Sequence, residues 1–427
     1  GTCVNVGCVP SKIMIRAAEA LHGAGAASRF AGLAGEAHLT DWRALIGAKD
    51  DLVGTLRQKK YVDLLPEYNS IAYLEGAARL NGAGVLVNDS PIAAGKIIVA
   101  TGASPAMPSI LGIENVPYLT STTALELDQQ PRSLLVIGGG YIGCELAQMF
   151  ARTGTAVTMV TRSRLLPEAE PEIAQALARY LADEGITVRT GLTYSRIEQQ
   201  DGEITLTIDV DGRAEMLTAE QVLVTTGRMP NTVNLGLEES GIRLAPNGGI
   251  VVDDRMRTSK SGVYAAGDVT GRDQFVYMAA YGAKLAARNA LNGDSLVYDN
   301  TAMPWVVFTD PQVAGVGFSE AQAIERGVEV KTSVVSLDQV PRALAARDTR
   351  GLIKLVADAK SDRLLGGQIL APEGADSIQS LALALKHGMT AKALGEMIFP
   401  YLTTVEGLKL AAQGFAKDVA KLSCCAG

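Results

Sequence analysis

The chain has 427 residues, 47% of them hydrophobic, which is enough for two or three domains and too much for one small core. Its 46 acidic and 39 basic residues give a formal net charge of −7 without long runs of one sign, so the sequence shows no electrostatic footprint for nucleic acid or for an anionic membrane. No apolar stretch reaches the roughly 18 to 20 residues that span a bilayer, which leaves a small-molecule substrate as the expectation.

Reactive thiols are predicted at the start of the chain. Four of the five cysteines lie at the two ends of the chain, a pattern that favours reactive thiols in a reducing compartment such as the cytoplasm. Pro10 favours a helix just after Cys8, so the positive helix end and Lys12 would stabilise a thiolate at Cys8. Cys3, on the preceding loop, would then exchange with substrate. The alternatives are a zinc half-site or a passive disulfide, but the sequence has no second Cys/His cluster with zinc spacing.

Three short hydrophobic strands each run into a glycine turn, which is typical of nucleotide-binding sheets. They end at Thr101-Gly102, at Gly227 and at Gly267-Asp268. Similar endings in separate segments predict more than one such sheet.

A βαβ unit lies between the first two of these strands. Strand 133–137 leads into a turn, a helix pattern runs from 144 to 153, and a strand runs from 156 to 161; the glycines of the turn are Gly138, Gly140 and Gly143. Backbone amides and a helix N-terminus at such a turn can face a pyrophosphate, so we predict a dinucleotide site. Tyr141 and Glu145 lie in the same turn and helix, and a buried Glu145 would require a cationic partner such as a lysine.

The end of the second βαβ strand favours NADPH over NADH. An acid at this point would hold the ribose hydroxyls of NAD, but the residue here is Thr161, and Arg162 and Arg164 follow it. Guanidinium groups suit the 2′-phosphate of NADPH. The alternative is a solvated basic turn.

The amino-terminal segment from Cys3 to Lys12 resembles the active-site helix of the pyridine nucleotide-disulfide oxidoreductases, and the resemblance extends over essentially the whole chain. It implies an α/β fold with two Rossmann-like domains, for FAD and NADPH, and a C-terminal α+β dimerisation domain. We expect residues 1–124 and 248–301 in the FAD-binding part, 125–247 in the NADPH domain and 302–427 in the dimerisation domain. The family's first βαβ unit is expected before Gly1.

The same resemblance implies roles for individual residues. Cys8 would face the flavin, Cys3 would be the interchange thiol, and Lys12 would pair with Glu145 beside the flavin. Tyr141 would cover the nicotinamide pocket. The residues expected to contact FAD or NADPH are Thr2, Lys12, Ala78, Thr101, Gly102, Gly138, Gly140, Tyr141, Gly143, Glu145, Arg162, Arg164, Gly227, Gly267, Asp268 and Val276.

The C-terminal region argues against ordinary disulfide reduction. Family members that reduce disulfides have a C-terminal motif that contains His-Pro and ends in a glutamate. Here Glu406 is present, but Tyr401, five residues before it, stands where the histidine belongs. A phenol with an ordinary pKa of about 10 is a poor proton shuttle at neutral pH. Cys424 and Cys425, near the end of the chain, add two soft ligands that suit capture of a metal ion, although they could also be spare terminal thiols. Cys144 is expected to be a small buried hydrophobe instead of a ligand.

Tyr401 together with the Cys424-Cys425 tail resembles the branch of the family that reduces Hg(II) to elemental mercury. The resemblance implies a homodimer in which the tail of one subunit delivers the metal to the other. The expected metal contacts are Cys3, Cys8, Cys424, Cys425, Tyr61 and Tyr401. Tyr61 could equally be a packing residue. The remaining alternatives are a thioredoxin-reductase-like enzyme and a non-catalytic thiol protein that binds soft metals.

Overall fold

The computed structural model describes residues 1–82 and 84–421, which separate into two compact units. The first unit comprises residues 1–10, 50–107 and 227–299, and the second comprises residues 11–49, 108–226 and 300 onward. Among the described residues, no helix combines the length and apolarity that a membrane span requires.

The first unit is built from short strands and one long helix. Its three-stranded antiparallel sheet consists of Ala78–Leu80, Val85–Val87 and Ser90–Ile92. The strands Ile97–Val99 and Val263–Ala265 pair in parallel, and Ala103–Pro105 pairs antiparallel with Arg228–Pro230. The helices are Thr2–Asn5 and Val276–Asn292, with a π-helical turn at Gln58–Val62. A core that includes Leu80, Val99 and Val263 joins the strands.

A five-stranded parallel sheet lies at the centre of the second unit. Its spatial order is Tyr118–Leu119, Gln221–Val224, Ser133–Ile137, Ala156–Val160 and Thr187–Arg189. Ser133–Ile137 is an almost continuous apolar run, as expected for a strand covered on both faces. The helices Tyr141–Arg152 and Pro171–Asp183 connect the strands. Two further helices, Cys8–Ala26 and Trp42–Arg57, contribute residues 11–26 and 42–49 to this unit. The antiparallel strands Thr193–Gln200, Glu203–Val210 and Arg213–Ala219 form a separate sheet.

The C-terminal part of the second unit is an antiparallel sheet with helices. The strands run in the order Pro304–Val307, Gln312–Gly317, Leu364–Ala371, Leu352–Asp358 and Val330–Ser336. The helices are Glu320–Glu325, Pro341–Ala346, Gly374–Lys386, Ala391–Glu396 and Glu406–Gln413. The predicted α/β class with a C-terminal α+β region is therefore confirmed. The residue boundaries of the domains stay a prediction.

One local expectation was wrong. Cys3 lies in the one-turn helix Thr2–Asn5 and not in a loop, because the N–H groups of Asn5 and Val6 donate to the carbonyls of Gly1 and Thr2. The helix that follows begins at Cys8 itself.

Candidate functional site

The predicted pair of Lys12 and Glu145 is present. Lys12 Nζ lies 2.6 Å from Glu145 Oε2, and the carboxylate is almost fully buried. The second oxygen, Oε1, accepts a hydrogen bond of 2.9 Å from the backbone N–H of Phe308. Both oxygens of the buried carboxylate therefore have charged or polar partners, which offsets the cost of desolvating it.

Phe308 is a site residue that sequence reasoning missed. It directly follows the strand Pro304–Val307, and its ring lies 4.7 Å from Lys12 Nζ in a cation–π contact. Phe308 thus contacts both members of the ion pair, one with its backbone and one with its ring. Local sequence gave no signal, because Phe308 and Glu145 are 163 residues apart.

The two amino-terminal thiols belong to consecutive helices, with Cys3 in Thr2–Asn5 and Cys8 at the first position of Cys8–Ala26. Both are half-buried, and neither is disulfide-bonded to a described cysteine. Gly7 lies between them where a Cβ would come within 3.0 Å of the Thr2 carbonyl oxygen and 3.4 Å of the Cys3 Cα. The absent side chain lets the chain fold back tightly, which brings the two thiol-bearing segments together.

The glycine turn has the geometry of a dinucleotide cradle. Gly138 has φ of 118°, and a Cβ there would lie 2.5 Å from the carbonyl oxygen of Thr225; a Cβ on Gly143 would lie 2.2 Å from the oxygen of Gly138. At Gly140, the residue before the helix Tyr141–Arg152, a Cβ would meet no atom of the described residues within 4 Å. The close contacts hold the turn against its sheet, and the open side exposes the helix N-terminus. This arrangement fits the pyrophosphate of NADPH.

The basic residues after the second strand of this sheet differ in their surroundings. Arg162 is exposed, whereas Arg164 Nη2 donates to the carbonyls of Pro167 at 2.7 Å and Ala169 at 2.6 Å. Arg164 therefore shapes the loop, and Arg162 presents its charge to solvent. An exposed guanidinium beside the cradle fits a 2′-phosphate.

Tyr141 is stacked against Trp305, another residue that sequence reasoning missed. The ring centroids are 5.5 Å apart and the planes are inclined by 19°. Trp305 pairs across the sheet with Gly315, where a Cβ would lie 2.4 Å from the indole. The glycine thus provides the space in which the indole lies.

Several of the predicted FAD residues in the first unit are glycines in turns, or lie next to them. Gly267 has φ of 77°, and at Gly102 and Gly227 an added Cβ would meet no described atom within 4 Å, so the backbone there is open to close approach. Burial raises the pKa of Asp268, and the charge of Arg228, whose Nε is 3.8 Å away, opposes that shift. A half-buried carboxylate beside an open backbone fits the ribityl hydroxyls of FAD.

Other predicted FAD residues have varied positions. Thr101 Oγ1 donates to the carbonyl of Asn231 at 2.8 Å, Ala78 begins a strand, and Val276 begins the helix Val276–Asn292 and is exposed. Thr2 is exposed at the start of Thr2–Asn5. Their contacts with FAD stay predictions.

The predicted metal ligands are only partly described. Tyr61 is exposed in the π-helical turn, and Tyr401 is exposed after Pro400. Glu406 is buried and accepts the N–H of Leu402 at 3.1 Å, so it stabilises the turn that carries Tyr401. Cys424 and Cys425 lie outside the described residues. Within residues 1–82 and 84–421, no three His, Cys, Asp or Glu side chains form a metal-binding cluster.

Cys144 is fully buried, as predicted, and its thiol lies 3.6 Å from the carbonyl oxygen of Gly139. Burial raises its pKa far above the usual range, and the neighbouring Glu145 carboxylate adds to the effect. A thiol that stays protonated is a poor nucleophile and a poor metal ligand. Cys144 therefore acts in packing.

The chain is similar in sequence to known proteins. Residues 1–287 match the family model described as pyridine nucleotide-disulphide oxidoreductase, and residues 303–412 match the dimerisation domain of that family. A mercuric reductase of Bacillus cereus is 47% identical over 430 residues, covering all of this chain and 68% of the relative. One from Streptomyces lividans is 47% identical over 434 residues and is covered to 91%.

A solved structure is also similar. The Cu(II) complex of the HOCl-induced flavoprotein disulfide reductase RclA from Escherichia coli superposes with a TM-score of 0.84 at 29% identity, covering 97% of this chain and 90% of that one.

Proposed function

Because the chain belongs to the pyridine nucleotide-disulphide oxidoreductases and is similar over its whole length to mercuric reductases, we propose that it reduces Hg(II) to elemental mercury with NADPH. The reaction balances as a two-electron transfer, in which NADPH and Hg(II) yield NADP⁺, a proton and Hg(0). The observation that carries the proposal is the pair Cys3 and Cys8 on consecutive helices, the second of which also carries Lys12 in its ion pair with Glu145.

The chain's residues fit two cofactors. Bound FAD would supply two-electron transfer between the hydride donor and the thiol-bound metal. It would be held by Thr2, Lys12, Ala78, Thr101, Gly102, Gly227, Gly267, Asp268 and Val276. NADPH would be held by Gly138, Gly140, Tyr141, Gly143, Glu145, Arg162 and Arg164. The open glycine backbones and the half-buried Asp268 support these assignments.

Thiolates are the ligands that a soft metal ion prefers, so Cys3 and Cys8 would bind Hg(II) during reduction. The start of a helix favours the anionic form of a ligand, and Cys8 occupies that position. We further propose that Cys424 and Cys425 take Hg(II) from solution thiols and deliver it, with Tyr61 and Tyr401 beside the metal. Both tyrosines are exposed, which supports contact with an incoming ion.

A homodimer follows from the match of residues 303–412 to the family's dimerisation domain. We propose that the tail of one subunit serves the thiol pair of the other. A cytoplasmic location is proposed as well, since NADPH and reduced thiols require a reducing compartment.

The proposed reaction is tested by following NADPH oxidation and release of elemental mercury with Hg(II) supplied as its glutathione complex. The variant Cys3→Ala should lose turnover, and Cys424→Ala/Cys425→Ala should lose most of it with thiol-bound mercury. Cys144→Ala is the matched control and should keep turnover, because Cys144 is buried in the core. Full activity in the tail variant would refute delivery, and no mercury-dependent oxidation by the unsubstituted chain would refute the function.

A second function is favoured by one comparison, because the similar protein from Escherichia coli is a flavoprotein disulfide reductase. Thioredoxin or glutathione disulfide in place of Hg(II) tests it. Tyr401 argues against it, since its phenol stands where disulfide-reducing members use an acid–base histidine. Faster NADPH oxidation with a disulfide than with Hg(II) would favour this alternative.

A further inference from the structure

Lys354 is a buried lysine surrounded by carboxylates. It lies in the strand Leu352–Asp358, is 2% exposed, and its Nζ is 3.0 Å from Glu170, 3.0 Å from Glu172 and 2.7 Å from Glu320. Burial lowers the pKa of Lys354, but the hydrogen bonds that its ammonium group donates to the three carboxylates have the larger effect and raise the pKa above its usual value. The side chain is therefore a fixed cation in a cluster of net charge −2.

Glu170 is the member of this cluster that the protein holds most firmly. It is 3% exposed, and its backbone N–H donates to Gln368 Oε1 at 2.7 Å. Its carboxylate accepts the N–H of Glu320 at 2.7 Å through Oε1 and binds Lys354 through Oε2. Glu170 is also the residue before the helix Pro171–Asp183, so it fixes the point where that helix begins.

The same residue ends the loop 161–170, which carries the two arginines. At its start, Thr161 donates its N–H to the carbonyl of Arg189, and in its middle Leu166 donates to the carbonyl of Gly139 in the glycine turn. Arg164 closes the second half of the loop through the carbonyls of Pro167 and Ala169. These hydrogen bonds fix the conformation of the loop, which connects the glycine turn with Glu170.

We propose that Lys354 is a positioning residue for NADPH, holding the loop 161–170 so that Arg162 and Arg164 meet the 2′-phosphate. The inference rests on the proposed assignment of those arginines. The charge of Lys354 also favours binding of the 2′-phosphate. Without Lys354, three carboxylates would stand unopposed close to the loop, where they would attract the arginines and repel a phosphate.

The test is the binding of NADP⁺ and NAD⁺, measured by titration calorimetry on the flavin-loaded protein. Lys354→Met should raise the Kd for NADP⁺ by about tenfold or more, which corresponds to about 1.4 kcal/mol, while the Kd for NAD⁺ changes less than about threefold. Both nucleotides weakened equally, or neither, would overturn the inference. If the single variant does not fold, Lys354→Met/Glu170→Gln also neutralises Glu170, the buried one of the three unopposed carboxylates, and carries the same expectation, so an unchanged preference there is equally decisive.

A control variant and the absence of mercury make the test specific to Lys354 and to nucleotide binding. Lys49→Met is the matched control, because Lys49 is also 2% exposed but donates to the carbonyl of Leu125, and this variant should leave the preference for NADP⁺ unchanged. The titrations contain no mercury and so do not depend on the proposed reaction. If the unsubstituted chain shows no preference for NADP⁺, the cofactor assignment falls together with this inference; if it does and Lys354→Met keeps that preference, only this inference falls.

Discussion

Phe308 donates its backbone N–H to Glu145 Oε1 at 2.9 Å, while the other oxygen of Glu145 binds Lys12 Nζ at 2.6 Å. The glutamate therefore connects its own helix Tyr141–Arg152, the helix Cys8–Ala26 and the strand end at Phe308. A buried carboxylate with this many partners fixes the position of each of them.

Replacement of Glu145 should separate its two roles. Glu145→Ala leaves the Phe308 N–H and the lysine without their acceptor and should lower the free energy of unfolding by about 1–3 kcal/mol. Glu145→Gln keeps an acceptor and should cost less. Both should slow the reduction of bound flavin by NADPH, by roughly tenfold to a hundredfold, because Lys12 is no longer held by a charge. Urea unfolding and stopped-flow absorbance measure the two effects.

The ion pair of the exposed Arg16 with the half-buried Glu19 provides the control, and it lies on the helix Cys8–Ala26, which also carries Lys12. Glu19→Gln should change the free energy of unfolding by less than about 1 kcal/mol and leave flavin reduction unchanged. Equal effects of Glu19→Gln and Glu145→Gln would contradict a special role for the buried pair.

Replacement of two glycines of the glycine turn by alanine should have different effects, one on stability and the other on nucleotide binding. Gly143→Ala places a Cβ 2.2 Å from the oxygen of Gly138 and should destabilise the fold by about 1–3 kcal/mol. Gly140→Ala places it in open space at a φ of −80°, so stability should change by less than about 0.5 kcal/mol. Because that space faces the proposed pyrophosphate, Gly140→Ala should still weaken NADP⁺ binding. Thermal unfolding with and without NADP⁺ tests both, and normal NADP⁺ binding by Gly140→Ala would move the pyrophosphate elsewhere.

Features encoded by neighbouring residues were predictable from the sequence. The apolar run 133–137, the glycine turn after it and the helix that follows all depend on local patterns, and the structure has each of them. The partner of Glu145 needed the family resemblance, because no local rule connects it with Lys12 across 133 residues. The burial of Cys144 was predictable because its helix neighbours are apolar.

Contacts made between distant segments were not predictable. Phe308, Trp305 and Lys354 lie in or next to strands of the C-terminal sheet and contact Glu145, Tyr141 and Glu170, respectively. The register of that sheet, which sets these contacts, is a tertiary property. The short helix at Cys3 was missed for a different reason. Its few hydrogen bonds are compatible with many sequences, so a single turn leaves little periodic signal.

Cys144 should resist alkylation at any pH at which the protein stays folded. Burial raises its pKa, so the thiol remains protonated where an ordinary thiol, with a pKa of about 8.5, ionises. Raising the pH from about 7 to about 9 should therefore increase iodoacetamide labelling of a small reference thiol such as glutathione but not of Cys144. Mass spectrometry of peptides from native and urea-unfolded protein measures this. Labelling of Cys144 in the native protein at the rate of Cys3 would show that the core opens around it.

The stack of Tyr141 on Trp305 should make tryptophan fluorescence a reporter of nicotinamide binding. The chain has two tryptophans, and Trp42→Phe leaves Trp305 as the only one. Since Tyr141 is proposed to cover the nicotinamide pocket and its ring is centred 5.5 Å from the indole, saturating NADP⁺ should change the emission of Trp305. Tyr141→Ala in the same background should abolish that change. The matched variant Trp305→Phe retains Trp42, which is buried against Phe150, and its emission should not respond. An unresponsive Trp305, or equal responses from both tryptophans, would place the nicotinamide away from Tyr141.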